Sequence, residues 1–241
     1  MDVEGADPPI EIEPILASEE TTFGGDGDII DEETDLTNVV IENTYYTMNT
    51  DNGDGYDTDK QALVLNSTTT AEQMTVVHDA EVGDDKVRDN YSGIIFEVPA
   101  GKGTINVDVQ TIGAHALNVQ IGKGEPTKVT KPEREPIDIK YKVSEPTYVY
   151  IYASTSDGKA LTRAAAENCV LLYGYSVTLA EKPKGDVNGD GEVDEADLEL
   201  VVNYILNPSK DFNKTAADMN GDGKVNAADV VLIINAMSNQ E

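Results

Sequence analysis

The side chains of this chain best placed to do chemistry lie in the run 186–197, DVNGDGEVDEAD, which recurs as 218–229, DMNGDGKVNAAD. Each run carries oxygen side chains at its first position (Asp186, Asp218), its third (Asn188, Asn220) and its fifth (Asp190, Asp222). Glycine holds the sixth (Gly191, Gly223), where a chain wrapped round an ion turns sharply. The seventh, Glu192 and Lys224, would offer a main-chain carbonyl, so its side chain is free to differ in charge. The ninth, Asp194 and Asn226, would reach an ion through water. The twelfth is Asp197 and Asp229, one methylene shorter than the Glu usual in an EF-hand loop. Calcium, a hard cation, takes about six to eight oxygens in loose geometry, and this mixture of carboxylate, amide and carbonyl suits it better than zinc or copper. A single run of this kind would read as an Asx-rich turn. Two copies in register predict two calcium ions.

The elements that must position these loops follow directly. Leu198, Val201, Val202 and Ile205 fall at helical spacing after the first loop, and Val230, Ile233, Ile234 and Met237 after the second. The two apolar stripes are expected to face each other. Residues 181–185 read as a linker with no helix entering the first loop, and Pro208 stops the first helix.

Two calcium loops, each followed by one helix, closely resemble the type I dockerin family over 185 to about 239. The resemblance implies an extracellular module that attaches its protein to a cohesin on a scaffolding protein or cell surface. It also implies that the calcium ligands are the residues already named. The family's partner-reading positions are the tenth and eleventh of each loop, here Glu195, Ala196, Ala227 and Ala228. They depart from the family's better-known Ser-Thr pairs, and the helices lack the basic residues that often follow.

Composition bounds the rest. A net charge of −29 repels phosphate and argues against nucleic acid and anionic membrane surfaces. Cys169 is alone, so there is no intrachain disulfide framework. No apolar run is long enough to span a bilayer, and MDVEGADPPI has neither the basic start nor the apolar core of a signal peptide. An extracellular module without such a signal reads as part of a longer precursor.

Residues 1–37 hold thirteen Asp and Glu, no Lys or Arg, and three Pro, and read as an acidic linker or tail. The phrases GGDGD at 24–28 and DNGDG at 51–55 lack the ligand register. Between 38 and 180 the pattern becomes period-two. Ile94, Phe96 and Val98 alternate, as do Ile105, Val107 and Val109, then Leu117, Val119 and Ile121, then Ile137, Ile139, Tyr141 and Val143. The stretches 39–41, 62–65, 147–153 and 170–179 complete the set, while 73–77 fits either a helical turn or a strand. Short, regular strands separated by Gly and Pro turns predict an antiparallel, jelly-roll-like β-sandwich, followed at 186–241 by a small all-α calcium module.

In 147–152, Val149 and Ile151 face one side of a strand and Tyr148, Tyr150 and Tyr152 the other. If the aliphatic side is core, the tyrosines form an exposed row, with Asn106, Asp108 and Gln110 as polar groups on a neighbouring strand. Sugar rings stack on such aromatic platforms. The opposing reading is that tyrosine simply favours strands. This region also resembles β-sandwich modules of surface and secreted proteins from polysaccharide-degrading anaerobes, through phrases such as GIIFEVPAGKGTINVDVQT and PTYVYIYA. That resemblance implies a carbohydrate-binding or adhesive scaffold.

No motif of hydrolytic or phosphoryl chemistry is present: there is no G-x-S-x-G, H-E-x-x-H or G-x-x-x-x-G-K, and no Trp for sugar subsites. His78 and His115 sit among apolar neighbours and read as structural or surface residues. The expectation is a non-catalytic, extracellular attachment protein with a cohesin-like partner, two calcium ions and no membrane insertion. The alternative is a polysaccharide-binding sandwich braced by the calcium module, and a third reading is a rigid stalk end.

Overall fold

The computed structural model describes residues 20–22, 30, 33–37, 39–48, 50, 53–66, 77–78, 85–86, 93–155, 169–180, 182–209 and 212–238. Most of 1–37, the phrase at 24–28 and residues 73–76 lie outside them. The chain forms two compact units. The first is built from Met1–Pro99, Thr104–Tyr141 and Pro146–Thr178, the second from Ala100–Gly103, Lys142–Glu145 and Leu179–Glu241.

The strands are, in chain order, β1 (Glu20–Thr22), β2 (Val39–Ile41), β3 (Thr44–Thr47), β4 (Gly55–Asp57), β5 (Ala62–Leu65), β6 (Val77–His78) and β7 (Asp85–Lys86). They continue as β8 (Gly93–Val98), β9 (Gly101–Thr111), β10 (His115–Ile121), β11 (Thr127–Val129), β12 (Glu135–Val143), β13 (Thr147–Thr155) and β14 (Val170–Leu179). One sheet runs β12-β9-β14-β5-β4 with β1 also on β14, and the other runs β11-β10-β13-β8-β3-β2. The short β6 and β7 pair with each other.

Period-two alternation decides what β9 buries. Its Ile105, Val107 and Val109 are inside, and Asn106, Asp108 and Gln110 point the other way. The aliphatic side of the second sheet comes from Ile94, Phe96 and Val98 on β8, Leu117 and Val119 on β10, and Val149 and Ile151 on β13, all buried. The sheets meet face to face: Phe96 of β8 stacks on Tyr175 of β14 at 4.4 Å and 12°, and the Thr44 and Tyr175 hydroxyls share a hydrogen bond. Gly93 has to lack a side chain, because a Cβ there would stand 2.1 Å from the Ile151 carbonyl oxygen.

Three expectations need correction. The stretch 1–37 is not all linker, since Glu20–Thr22 pairs with β14 and Ile30 and Leu36 are buried. The tyrosine row is not an exposed platform: Tyr150 and Tyr152 are fully buried, like Val149 and Ile151 opposite, and Tyr148 is half-buried with its ring edge-on to Tyr150. Both sides of β13 are interior, so alternation did not separate wet from dry. Nor are Asn106, Asp108 and Gln110 its neighbours, because β9 and β13 belong to different sheets. Gln110 accepts instead from the Tyr173 hydroxyl at 3.2 Å, Asp108 from Arg134, and Asn106 donates to Asp138. His115 is buried, as is the lone thiol of Cys169.

The second unit carries α1 (Glu195–Leu206), the single turn α2 (Lys214–Ala217) and α3 (Ala227–Ser238). Val187, Val193, Val201, Ala217 and Ile233 form its core, with Leu198, Val230 and Met237 packed against it. The stripes are narrower than expected. Val202, Ile205 and Ile234 are exposed. Among the described residues no helix is long and apolar enough to cross a membrane.

Candidate functional site

Each loop is held by its own carboxylates. Asp186 accepts from the backbone N–H of Gly189 at 2.6 Å and of Gly191 at 2.8 Å, and Asp218 from Gly221 and Gly223, both at 2.8 Å. These amides can converge because Gly191 (φ +84°) and Gly223 (φ +79°) sit in the left-handed region. Asn188 Oδ1 accepts from Asp190 N and Asp190 Oδ1 from Glu192 N; Asn220 and Asp222 repeat both bonds.

The twelfth position ties loop to helix. Asp197 accepts from Val187, Asn188 and Asp194 N, at 2.7 to 2.9 Å. Asp194 caps α1 by accepting from Ala196 N at 2.8 Å, and with Asp197 completes a capping box. In the second loop Asp229 accepts from Asn220 and Asn226 N, and Asn226 accepts from Ala228 N. The ninth position therefore serves as helix cap in both copies.

Asp186, Asp197 and Asp229 are fully buried carboxylates. Among the described residues no Lys or Arg pairs with them. A buried anion needs more than backbone dipoles to offset its desolvation, and a cation among these oxygens would supply it. Among the described residues no three His, Cys, Asp or Glu side chains form a metal-holding group by themselves. The donor set here mixes carboxylates with the Asn188 and Asn220 amides and main-chain carbonyls, as a calcium loop requires.

Glu192 turns away from its loop. Within the second unit it pairs with Lys102 at 2.9 Å and Lys142 at 2.8 Å, and Lys102 also donates to the Gly191 carbonyl. Hydrogen bonds from Lys142 and then Lys102 hold its carboxyl down at about 2. Neither lysine could be assigned to this loop from the sequence, because each lies far from it along the chain.

Glu195, Ala196, Ala227 and Ala228 are all exposed in the first turns of α1 and α3. Beyond them lies a feature that periodicity concealed. Of the eight large apolar side chains exposed among the described residues, seven are on these helices: Leu200, Val202, Ile205 and Leu206 on α1, and Val231, Leu232 and Ile234 on α3. Apolar surface left exposed on two helices is a candidate docking surface.

Residues 184–238 match the family model described as the Dockerin type I domain. No curated protein matches the chain. A family two carbohydrate esterase from Cellvibrio japonicus is 10% identical, with 68% of this chain and 34% of that one covered at a TM-score of 0.34. An acetyl xylan esterase (Est2A) from the rumen bacterium Butyrivibrio proteoclasticus is 8% identical, with the same coverage and a TM-score of 0.33. The CBM22-1 xylan-binding domain from Paenibacillus barcinonensis Xyn10C is 15% identical, covered over 95% of its length by 49% of this chain, with a TM-score of 0.26. The chain thus spans about a third of the length of the two esterases, and these distant likenesses carry no function to it.

Proposed function

We propose, because residues 184–238 match the Dockerin type I domain model, that this chain is an extracellular, non-catalytic attachment protein whose helical module docks on a cohesin. Domains of this family bind cohesins and generally bind calcium. The observation that carries the reading is the seven-residue apolar exposure confined to α1 and α3, which follow two loops that share most of their hydrogen bonds.

Two calcium ions are proposed, held by Asp186, Asn188, Asp190, the Glu192 carbonyl, Asp194 and Asp197, and by Asp218, Asn220, Asp222, the Lys224 carbonyl, Asn226 and Asp229. Bound calcium would supply the positive charge that the buried carboxylates require. The chain's own residues do the rest. Asp197 and Asp229 couple each loop to the first turn of its helix, so ordering a loop fixes where Glu195, Ala196, Ala227, Ala228 and the apolar face stand.

The test is capture of purified cohesin modules on the immobilised full chain, in millimolar calcium and in excess chelator, with Leu206→Asp and Val231→Asp beside the native chain. Capture that needs calcium and weakens in both variants supports the reading. Capture indifferent to both, or none by any cohesin tried, would remove it.

A second reading has its own observation. On the polar side of β9, Tyr173 meets Gln110, and Arg134 lies 3.9 Å over the same ring while donating to Asp108. We infer a polysaccharide contact there in place of Tyr148, Tyr150 and Tyr152. Retention on insoluble xylan that Tyr173→Ala abolishes would favour it.

A further inference from the structure

Within the second unit, a cleft of about 600 Å³ is lined by Lys184, Tyr204, Lys214, Thr215, Asp218 and Lys224. The chain has 17 Lys and Arg against 46 Asp and Glu, so three lysines at one concavity run against its composition. Among the described residues none of the three forms an ion pair. One acid, Asp218, shares the cleft, its carboxylate accepting from Gly221, Asp222 and Gly223 N at 2.8 to 3.1 Å, so three ammonium groups face one carboxylate and the lining keeps a positive excess. Lys184 Nζ lies 3.9 Å from where a Cβ on Gly221 would be, and Lys214 Nζ stands 5.5 Å over the Tyr204 ring.

Three ammonium groups at one concavity repel one another, and an anion placed among them relieves that repulsion. The aromatic lining selects among anions. Phe212 stacks on Tyr204 at 4.1 Å and 6°, and Lys214 approaches the ring as well, so no open aromatic face is left for a sugar to stack on. The helix that supplies Tyr204 to the cleft also carries the exposed Val202, Ile205 and Leu206, so both features belong to the second unit.

We propose that this cleft receives a short run of Asp or Glu side chains from the docking partner and selects cohesins that carry one. The proposal rests on the docking reading for its biological partner, but the chemistry of the cleft can be tested without a cohesin. Charge complementarity in a protein contact acts mainly on association rate and choice of partner, and it weakens with salt.

The test is titration of the full chain, in millimolar calcium and low salt, with a labelled poly-glutamate peptide, a poly-glutamine peptide and an oligogalacturonate. The variants are Lys184→Gln/Lys214→Gln/Lys224→Gln and the same three positions to Arg, with helix content checked by circular dichroism. The expected result is binding of poly-glutamate alone, weakened about tenfold or more by the Gln triple, kept by the Arg triple and lost on adding salt. Equal affinity for the native chain and a folded Gln triple would overturn the proposal, as would oligogalacturonate binding more tightly at the same lysines. Absence of any poly-glutamate binding would overturn it too. If poly-glutamate binds through the lysines while no cohesin is captured, the docking reading has failed and the acidic-ligand site stands.

Discussion

The two loops share a hydrogen-bond pattern and differ in what surrounds it. In both, the first-position Asp gathers the amides of the fourth and sixth residues, the twelfth accepts from the third near the start, and the ninth caps a helix. Yet Asp186 is fully buried while Asp218 is half-buried, and Val187 enters the core where Met219 packs at its border. The first loop has six acids and no base, the second three acids and one base. Position seven shows why both compositions work. Its proposed contribution to an ion is a carbonyl, which leaves Glu192 free to meet Lys102 and Lys142, while Lys224 joins a lysine cleft. Local geometry is fixed by the repeat, and charge is fixed by the neighbourhood.

The largest effect is expected from removing what the loops share. Each proposed calcium ion would contribute about 2.7 kcal/mol when present at about a hundred times its dissociation constant. The helical unit has a small core of five buried residues, Val187, Val193, Val201, Ala217 and Ile233. Excess chelator should therefore melt the helical circular-dichroism signal at a temperature where the sheet signal persists. Coincident melting, or none, would show that the loops do not depend on the ion.

Next, breaking the loops one at a time should expose their inequality. Asp186→Ala and Asp218→Ala each orphan backbone amides, at about 1 to 3 kcal/mol for a buried group. The cost should be larger at Asp186, because the Gly189 and Gly191 amides it holds are half-buried while those of Gly221 and Gly223 are exposed. Denaturant unfolding in saturating calcium measures both. Equal losses would mean that burial around the first loop contributes nothing.

What was legible in the residues follows the same division between local and distant causes. The loops could be read because their oxygen side chains and glycines lie within twelve positions, β9 and β12 because apolar and polar residues alternate along them, and β8 and β10 through the apolar residue at every second position. The strands β1, β4 and β11 are three residues long, and α2 is a single turn, too short for any period to register. Tyr150 and Tyr152 were misread because alternation names two sides of a strand without saying which is covered. The Glu192 pairs were out of reach for a related reason, since sequence separation of 90 and 50 residues is closed only by the fold.

Exchanging the seventh residues sharpens the comparison with a smaller effect. Glu192→Lys would place a third cation beside Lys102 and Lys142, and Lys224→Glu would add an acid to the less acidic loop. Calcium affinity should fall at the first loop and rise at the second, each several-fold in low salt and less in high salt, because these groups are exposed and screened. Calcium titration of the two variants reads this directly. A shift that salt leaves unchanged would mean the substitution had altered loop geometry and not its field.

The subtlest difference is at position nine, where Asp194 and Asn226 make the same cap through the same oxygen, to Ala196 N and Ala228 N. Asn and Asp are nearly equal as helix caps, so Asn226→Asp should leave α3 intact. What changes is charge: a carboxylate beside Asp229 and Asp222 favours the bound ion and, without it, adds repulsion. Calcium affinity of the second loop should rise about threefold, following the dependence of such loops on ligand charge. The ion-free form should become less stable, even though an acid at a helix N-terminus is otherwise worth about 0.3 to 1 kcal/mol. Opposite signs with and without calcium would assign position nine a part in ion binding as well as capping. Stabilisation in both conditions would make it a cap and nothing more, and would locate the difference between the loops entirely at Glu192 and its lysines.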